Sequence, residues 1–338
     1  MKFIIITGGT GGHIFPALRI KEEMEKENFK VIFVLGGNLR IPFEEKLIYI
    51  SAAPFMGKDI KAVLKNVFIN IKGIYESINL LSKNPFPIIA TGSYASFPLL
   101  FYAFIRNIPY FILEQNSIPG RVNKIFSKKA RINFLGFEEA KNYLKGKKIF
   151  VGNPLRKFKE IERNEARKIL NLKEDEKVIL IFGGSQGSRF LNNLGIEISK
   201  IMEDYKFILV SGKNFYEEIK EKKRENIILF PFYKEMEILY TASDVAITRA
   251  GGITIYELLY FGIPSLLIPF PYATDNHQFY NALCISKKYD FFEMIEEKEA
   301  NTEKVIEKVK KLFFKKGEKI RFSAEKKIIE EIKKCFLN

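Results

Sequence analysis

The sequence predicts an α/β protein of two doubly wound domains, each built on a parallel sheet. Residues 2–7 are an apolar strand pattern that runs into the glycine-rich segment 8–13 and then into an amphipathic helix. The same order returns later in the chain, where strand pattern 178–182 precedes the glycine-rich segment 183–188 and another helix. A strand, a glycine-rich turn and a helix occurring twice indicate two βαβ beginnings and therefore two sheets.

The predicted domain boundary is the Gly-Asn-Pro-Leu-Arg segment at 152–156. It gives a first domain of residues 1–156 and a second of residues 157–323, and the final helix, 324–338, is a candidate to pack back on the first domain. Further strands are predicted in the first domain at 31–35, 47–51, 88–91, 110–114, 132–135 and 149–151. In the second domain they are predicted at 207–211, 227–230, 245–248 and 265–268.

The positive charge of the chain is unevenly distributed. The 338 residues carry a net charge of +15, of which +12 lies in residues 1–156 and +3 in the remainder. A basic first domain indicates an anionic partner, which is a membrane surface, a nucleic acid or a phosphorylated substrate.

The sequence argues against a membrane-spanning helix and against a metal site built from cysteines. The apolar stretch 87–113 is interrupted by Pro98, Arg106 and Pro109, so we do not expect a membrane-spanning helix there. The two cysteines, Cys284 and Cys335, have no metal-site spacing and are typical of a reducing compartment.

Both glycine-rich segments are candidate phosphate sites. Each is predicted to open a helix, where unpaired N–H groups and the positive end of the helix dipole favour anions. Neither segment has the Lys-Ser/Thr ending of a P-loop, and Ile14 and Arg189 stand where a dinucleotide fingerprint needs its third glycine. The alternative for each is a tight strand-to-helix turn that binds no ligand.

Two later segments follow strands of the second domain and are candidate ligand sites as well. In 248–257, Arg249 is expected to add positive charge near a diphosphate, and Glu257 is placed to accept hydrogen bonds from ribose hydroxyls. The alternative for Glu257 is a carboxylate that interacts with the helix dipole. The other segment is 269–278. Glutamine and histidine are scarce in this chain, and all of them fall in loops after predicted strands, where ligands bind. They are Gln115, Gln186, Gln278, His13 and His277.

A stripe of apolar residues at helical spacing runs from Ile60 to Tyr75, with lysines among them. We expect most of the stripe to be core. The functional alternative is that part of it rests on anionic lipid, with the following residues contributing: Leu64, Phe68, Ile71, Lys61, Lys65 and Lys72.

Several of these segments occur in the order found in one known family. They are Gly-Gly-Thr-Gly-Gly-His at 8–13, Glu-Gln-Asn at 114–116, Gly-Asn-Pro-Leu-Arg at 152–156 and Gly-Gly-Ser-Gln-Gly at 183–187, followed by 249–257 and 269–282. From residue 3 to about residue 285 the chain resembles the bacterial peptidoglycan N-acetylglucosaminyltransferases. The resemblance implies the GT-B fold, in which two Rossmann-like domains face a central cleft.

The same resemblance implies a reaction and its partners. N-acetylglucosamine (GlcNAc) passes with inversion from UDP-GlcNAc to lipid I, which is undecaprenyl-pyrophosphoryl-N-acetylmuramoyl-pentapeptide, and the product is lipid II. The expected partners are UDP-GlcNAc, lipid I and an anionic membrane surface, with no nucleic acid. No metal and no cofactor are expected. The expected location is peripheral, on the cytoplasmic face of the bacterial inner membrane.

Carried over by motif, the resemblance implies two groups of site residues. The donor would be contacted by Thr10, Gly11, Gly12, Asn116, Arg156, Ser185, Tyr233, Gly252, Ile253, Thr254, Ile255, Tyr256, Glu257 and Gln278. The acceptor or its phosphate would be contacted by Gly92, Ser93 and Tyr94.

His13 is the candidate catalytic base, because an unperturbed imidazole titrates close to neutral pH. The equally weighted alternative is that it binds the acceptor phosphate or caps the turn.

Another GT-B transferase that acts on a lipid acceptor is an alternative within the same class, and three functions outside it compete with the transferase. A basic nucleic-acid-binding protein would explain the charge but not three helix-opening loops. A UDP-GlcNAc 2-epimerase shares the predicted fold and the donor, and it would need no lipid acceptor. An NAD-dependent oxidoreductase is the weakest alternative, because the dinucleotide spacing fails in both glycine-rich segments.

Overall fold

The computed structural model describes residues 1–8, 11–37, 47–54 and 59–337. The chain divides into two compact units. The N-terminal unit consists of Met1–Arg156 together with Phe322–Asn338, and the C-terminal unit is Lys157–Arg321.

The N-terminal unit is built on a parallel sheet. Over the described residues the sheet has seven strands in the order β3-β2-β1-β4-β5-β6-β7. The strands are β1 (Lys2–Gly8), β2 (Lys30–Gly36), β3 (Ile48–Ile50), β4 (Ile88–Ala90), β5 (Tyr110–Glu114), β6 (Asn133–Leu135) and β7 (Lys148–Phe150). The helices are α1 (Gly11–Lys26), α2 (Ile60–Lys83), α3 (Phe97–Ile105), α4 (Arg121–Phe126) and, from the end of the chain, α12 (Ala324–Leu337).

The C-terminal unit repeats this architecture with a six-stranded parallel sheet, of order β10-β9-β8-β11-β12-β13 over the described residues. Its strands are β8 (Lys177–Phe182), β9 (Tyr205–Val210), β10 (Ile227–Phe230), β11 (Val245–Thr248), β12 (Ser265–Leu267) and β13 (Phe292–Met294). Its helices are α5 (Arg163–Ile169), α6 (Arg189–Ile201), α7 (Tyr216–Lys220), α8 (Met236–Ala242), α9 (Gly252–Phe261), α10 (His277–Lys288) and α11 (Thr302–Leu312).

Both faces of the N-terminal sheet are covered, as the unbroken apolar strands require. Successive residues of β1 point to opposite faces, so Phe3 and Ile4 enter different cores. One core contains side chains of α1 and α12, including Ile328, and the other contains side chains of α3 and α4. The final helix therefore completes one face of this sheet.

The predicted fold class is confirmed, and each predicted strand has a counterpart in the structure. Strand β13 was not predicted. It is a short edge strand that pairs only with β12 among the described residues, and its pattern Phe-Glu-Met carries a charged residue at its centre. Such a strand lacks the apolar run that identified the central strands.

The expectation that the α2 stripe is mostly core is wrong. Leu64, Phe68 and Ile71 are 54%, 70% and 55% exposed, and further large apolar side chains on this helix are exposed as well, namely Ile60, Val67, Tyr75 and Ile78. At about 100° per residue these positions form a single stripe along one side of the helix.

Three of the four buried residues of α2 are small or polar, namely Asn70, Gly73 and Ser77, and the fourth is Leu81. Asn70 exchanges hydrogen bonds with the backbone N–H and C=O of Ala53, at 3.2 and 3.0 Å. Gly73 lies so close to the chain that an added Cβ would stand 1.8 Å from the Ser51 carbonyl oxygen. Polar contacts and close backbone approach therefore attach α2, together with Leu81 in the core, and its apolar stripe faces outward. Among the described residues, no helix is both long and apolar enough to cross a membrane.

Candidate active site

The predicted site residues of the N-terminal unit lie at the carboxyl ends of its central strands. Strands β1, β4 and β5 are adjacent, so the segments that follow them emerge at one edge of the sheet. Between β1 and β4 the chain connections diverge, since β1 leads to β2 on one side and β4 leads to β5 on the other. Open α/β sheets bind ligands at such a point.

His13 is fixed by the segment that follows β4. Its Nδ1 is 2.9 Å from the carbonyl oxygen of Thr91, and the Thr91 hydroxyl is 3.1 Å from the carbonyl oxygen of His13. A carbonyl oxygen only accepts hydrogen bonds, so Nδ1 carries the proton in this pair. The neutral ring then has an acceptor lone pair on Nε2, which is the form that a general base needs.

Gly92 permits the close approach of the groups around His13. Its φ of +83° suits glycine, and an added Cβ would stand 3.4 Å from both Gln115 Oε1 and His13 Cε1. Gln115 Nε2 donates to the Thr91 carbonyl at 2.7 Å, so this oxygen holds both His13 and Gln115. Ser93 and Tyr94 follow directly and are half-buried.

Glu114 organises the loop that carries Asn116. This carboxylate is 2% exposed and ends strand β5. It accepts hydrogen bonds from the Asn116 and Gly120 backbone N–H groups at 2.9 and 3.0 Å, and from Asn123 Nδ2 at 2.8 Å. Several donors around one buried carboxylate fix the loop and hold Asn116 at the edge near His13.

Other predicted residues of this unit are less closely tied to His13. The guanidinium of Arg156 lies 5.5 Å from the ring centre of Phe15, which places it over the first turns of α1. Gly11 and Gly12 begin α1. Thr10 lies outside the described residues.

In the C-terminal unit the glycine-rich loop runs from the end of β8 to the start of α6. Gly187 has a φ of +77°, and a Cβ there would stand 2.1 Å from the Ser211 carbonyl oxygen. Ser188 caps α6 through its side chain, which accepts from the Leu191 N–H. Ser185, at the exposed turn of the loop, is accessible to a ligand.

Helix α9 follows the neighbouring strand β11 and contains six of the predicted site residues, 252–257. It begins at Gly252 after an extended Gly251, so Ile253 and Thr254 lie in its first turn. The first N–H groups of a helix have no acceptor within the helix and can bind an anion. Ile255 and Tyr256 are buried, and their side chains contribute to packing.

Glu257 is held by a tyrosine that sequence analysis did not identify. The hydroxyl of Tyr240, on α8, donates to Glu257 Oε2 at 2.7 Å, and both side chains are buried.

Neither Tyr240 nor Thr91 belongs to a recognised motif. A signal existed for Glu114, because a carboxylate at the end of an otherwise apolar strand is unusual.

Arg249, which the sequence suggested would add positive charge near a diphosphate, is buried and paired with a carboxylate. Its side chain is 9% exposed and its Nη2 lies 2.5 Å from Glu297 Oε2. Burial lowers the pKa of the Arg249 guanidinium, and the hydrogen bond to Glu297 opposes that shift. The charge expected near a diphosphate is thus already paired within the protein.

Gln278, in the first turn of α10, and Tyr233, in the loop after β10, belong to other segments that follow strands of this sheet. Gln278 Oε1 accepts from the Phe270 backbone N–H at 3.0 Å, across the loop that follows β12. Tyr233 follows the edge strand β10 and packs its ring 4.6 Å from that of Phe230. Burial, with a smaller effect from nearby Glu235, raises the pKa of Tyr233.

Within the described residues, no group of three or more His, Cys, Asp or Glu side chains is arranged to hold a metal ion. That neither a metal nor a cofactor is needed stays a prediction.

Two doubly wound parallel sheets with helix starts at their central strands are the architecture of GT-B enzymes. Family models agree for both units. Residues 3–134 match the glycosyltransferase family 28 N-terminal domain, and residues 178–335 match the family's C-terminal domain.

Individual relatives identify the group within the class. The chain is 38% identical over 314 residues to the Aquifex aeolicus UDP-N-acetylglucosamine–N-acetylmuramyl-(pentapeptide) pyrophosphoryl-undecaprenol N-acetylglucosamine transferase, covering 90% of each chain. The crystal structure of Acinetobacter baumannii MurG superposes with a TM-score of 0.72 at 20% identity, covering 99% of this chain and 100% of that one. The chain belongs to the MurG family of glycosyltransferases.

The fold alone does not separate this family from epimerases. The UDP-GlcNAc 2-epimerase from Neisseria meningitidis, bound to UDP-GlcNAc, superposes with a TM-score of 0.68 at 16% identity, covering 99% of this chain and 100% of that one. Sequence identity separates the two, because the chain is 38% identical to the Aquifex aeolicus transferase but 16% identical to this epimerase.

The Glu114 anchor predicts a measurable loss of stability in Glu114→Gln. The amide would place an N–H group against donors that now meet a carboxylate, and we expect a cost of about 2–3 kcal/mol. Glu138→Gln is the matched control, because Glu138 is exposed and forms a surface ion pair with Lys141 at 2.8 Å. Urea unfolding monitored by circular dichroism measures both. Equal midpoints for the two variants would contradict the anchor role.

Proposed function

We propose that this chain transfers N-acetylglucosamine from UDP-GlcNAc to lipid I, with inversion, in peptidoglycan synthesis. The observation that carries the proposal is the near-full-length similarity to proteins named for this reaction. The site supports it, because both units place glycine-rich helix starts and polar side chains at the ends of central strands.

The C-terminal unit is proposed to bind the donor. The first turn of α9, with Gly252, Ile253 and Thr254, and the loop with Ser185 supply groups for the diphosphate. Glu257 accepts hydrogen bonds from the ribose hydroxyls. Gln278 and the Tyr233 ring complete the proposed contacts, with Tyr233 beside the uracil.

The N-terminal unit is proposed to supply the base and the acceptor site. His13 Nε2 takes the proton of the acceptor hydroxyl while that oxygen forms a bond to the anomeric carbon of the donor. The bond from that carbon to the diphosphate oxygen breaks, and UDP leaves with the electron pair. Gly92, Ser93 and Tyr94 are proposed to bind the acceptor.

The remaining residues of this unit are assigned to the donor by their motifs. Asn116 and Arg156 are held at the sheet edge and over α1, respectively. Gly11 and Gly12 offer helix-start N–H groups to a phosphate, and Thr10 belongs to the same motif.

Helix α2 is proposed to dock on anionic membrane. Its exposed apolar stripe includes Leu64, Phe68 and Ile71 and has no cover in the described part of the chain. Lys61, Lys65 and Lys72 lie along one border of that stripe, at helix angles roughly 40–120° from its centre at about 100° per residue. An apolar stripe bordered by lysines suits an interface of acyl chains and anionic headgroups. The lipid tail of the acceptor remains in the bilayer, so the proposed location is peripheral, on the cytoplasmic face.

Turnover with UDP-GlcNAc and a lipid I analogue in detergent tests the proposed function. We expect UDP release and transfer of labelled GlcNAc to the analogue, and no sugar product when the analogue is omitted. Formation of UDP-N-acetylmannosamine from the donor alone would instead identify a 2-epimerase. The assay is read by chromatography of both the lipid and the nucleotide fractions.

Glu257→Ala is expected to raise the KM for UDP-GlcNAc by about 10- to 100-fold with a smaller change in kcat, because hydrogen bonds to a charged group contribute about 1.5–3 kcal/mol to binding. Tyr240→Phe removes the donor that orients Glu257 and should raise the same KM by a few-fold. Tyr205→Phe, in the same unit at the amino end of β9, is the control. An unchanged donor KM in Glu257→Ala removes Glu257 from the donor site.

Reversing Lys61, Lys65 and Lys72 to Glu should reduce binding to anionic vesicles by well over tenfold, since each lysine near such a surface contributes about 1 kcal/mol. Turnover of a short-chain, water-soluble acceptor should stay close to wild type. The control reverses three exposed lysines of the other unit with the same change in net charge: Lys304, Lys310 and Lys316. Vesicle sedimentation measures binding. Equal losses in both triple variants would mean that total charge, and not α2, determines docking.

A further inference from the structure

We propose that Arg249 is a positioning residue that holds three loops of the donor site in register and does not itself bind the diphosphate. The inference rests on the proposed function of the C-terminal unit, because it assigns how that site is kept in shape. It also replaces the role that the sequence suggested for this arginine.

The guanidinium of Arg249 joins segments that are distant in sequence. Its Nη2 donates to Ser188 Oγ at 3.0 Å, and its Nη1 lies 3.2 and 3.3 Å from the carbonyl oxygens of Ile268 and Pro269. Glu297, in the turn after β13, supplies the carboxylate at 2.5 Å. One side chain thus connects the loops that follow β8, β11 and β12.

Two aromatic rings enclose the same group. The guanidinium carbon lies 5.6 Å from the ring centre of Phe190 and 5.4 Å from that of Phe270. Phe270 is also bound through its backbone N–H to the side chain of Gln278, one of the proposed donor contacts. A displacement of Arg249 would therefore reach Gln278 through Phe270.

The contact with Ser188 links Arg249 to the glycine-rich loop between β8 and α6. Ser188 is the N-cap of α6, and its hydroxyl oxygen accepts from the Leu191 N–H while it receives the arginine. Strands β8 and β11 are neighbours at the centre of the sheet, and the chain leaves them in opposite directions. Arg249 spans this divergence, where doubly wound sheets bind their ligands.

The chemistry of the contacts requires arginine. The acceptors include a hydroxyl, a pair of backbone carbonyls and a carboxylate, and only the planar guanidinium offers enough donors in fixed directions to meet them together. Because Glu297 neutralises the charge inside the protein, the diphosphate is left to the backbone N–H groups at the starts of the helices.

A second buried arginine in the same unit provides a matched control. Arg167 pairs with Asp244 at 3.0 Å, and Asp244 also accepts from the Val178 N–H at 2.8 Å. Asp244 immediately precedes β11, whereas Arg249 immediately follows it. The two ion pairs thus hold opposite ends of one strand, and only the pair at the carboxyl end touches the donor loops.

The test compares Arg249→Lys with Arg167→Lys by calorimetric titration with UDP and by thermal unfolding. Both variants should lose thermal stability. Arg249→Lys should weaken UDP binding by about tenfold or more, equivalent to at least about 1.4 kcal/mol, whereas Arg167→Lys should keep a Kd within about twofold of wild type. Wild-type UDP affinity in a folded Arg249→Lys variant would overturn the inference.

Glu297→Gln distinguishes positioning from direct binding by the sign of its effect. If Arg249 were a diphosphate ligand, removal of the competing carboxylate would release its charge and tighten UDP binding. Positioning predicts weaker binding, because the guanidinium loses its anchor. Tighter binding overturns the inference even if the arginine variants do not fold. Failure of the wild-type protein to bind UDP overturns the proposed function instead, so the two failures are distinguishable.

Discussion

The pairing of two central strands in each sheet, β1 with β4 and β8 with β11, is the constraint on which both sites depend. Parallel strands deliver their carboxyl ends to one edge, and the chain departs from each pair in opposite directions. A hydrogen-bonded side chain from a following loop or helix bridges each gap. His13 reaches the carbonyl of Thr91 in the N-terminal unit, and Arg249 reaches the hydroxyl of Ser188 in the C-terminal unit.

Several of the polar groups buried in the fold lie where the strands end. The central strands are largely apolar, whereas Glu114 is buried as the last residue of its strand, and Gln115, Arg249 and Glu257 are buried just beyond strand ends or in the following helix. Burying such groups costs free energy unless hydrogen bonds compensate, and each of these has a partner at 3.3 Å or less. Helix α2 differs from the other helices of the sheet, because three of its four buried residues are small or polar while its apolar stripe is exposed.

Much of the fold could be predicted from sequence because apolar strands and glycine-rich turns are local patterns. The positions of the strands, and of the helices that contain His13 and Glu257, follow from such patterns. The exposure of Phe68 could not, because helical periodicity shows that apolar residues share a side but not whether protein covers that side. Arg249 and Glu297 are 48 positions apart in the sequence, so their pairing is likewise set by tertiary packing.

The two bridging side chains, His13 and Arg249, differ in whether an atom or a charge remains available to a substrate. His13 uses Nδ1 for the bridge and is only half-buried, so the same residue can hold the loop and present Nε2 as a base. Arg249 uses its guanidinium for the bridge and is paired with Glu297, so no net charge remains for a ligand. The proposed base therefore belongs to the unit whose bridging side chain has a second nitrogen that the bridge does not use. The unit whose bridge is permanently charged and neutralised is suited to holding a diphosphate on backbone N–H groups, where binding needs no proton transfer.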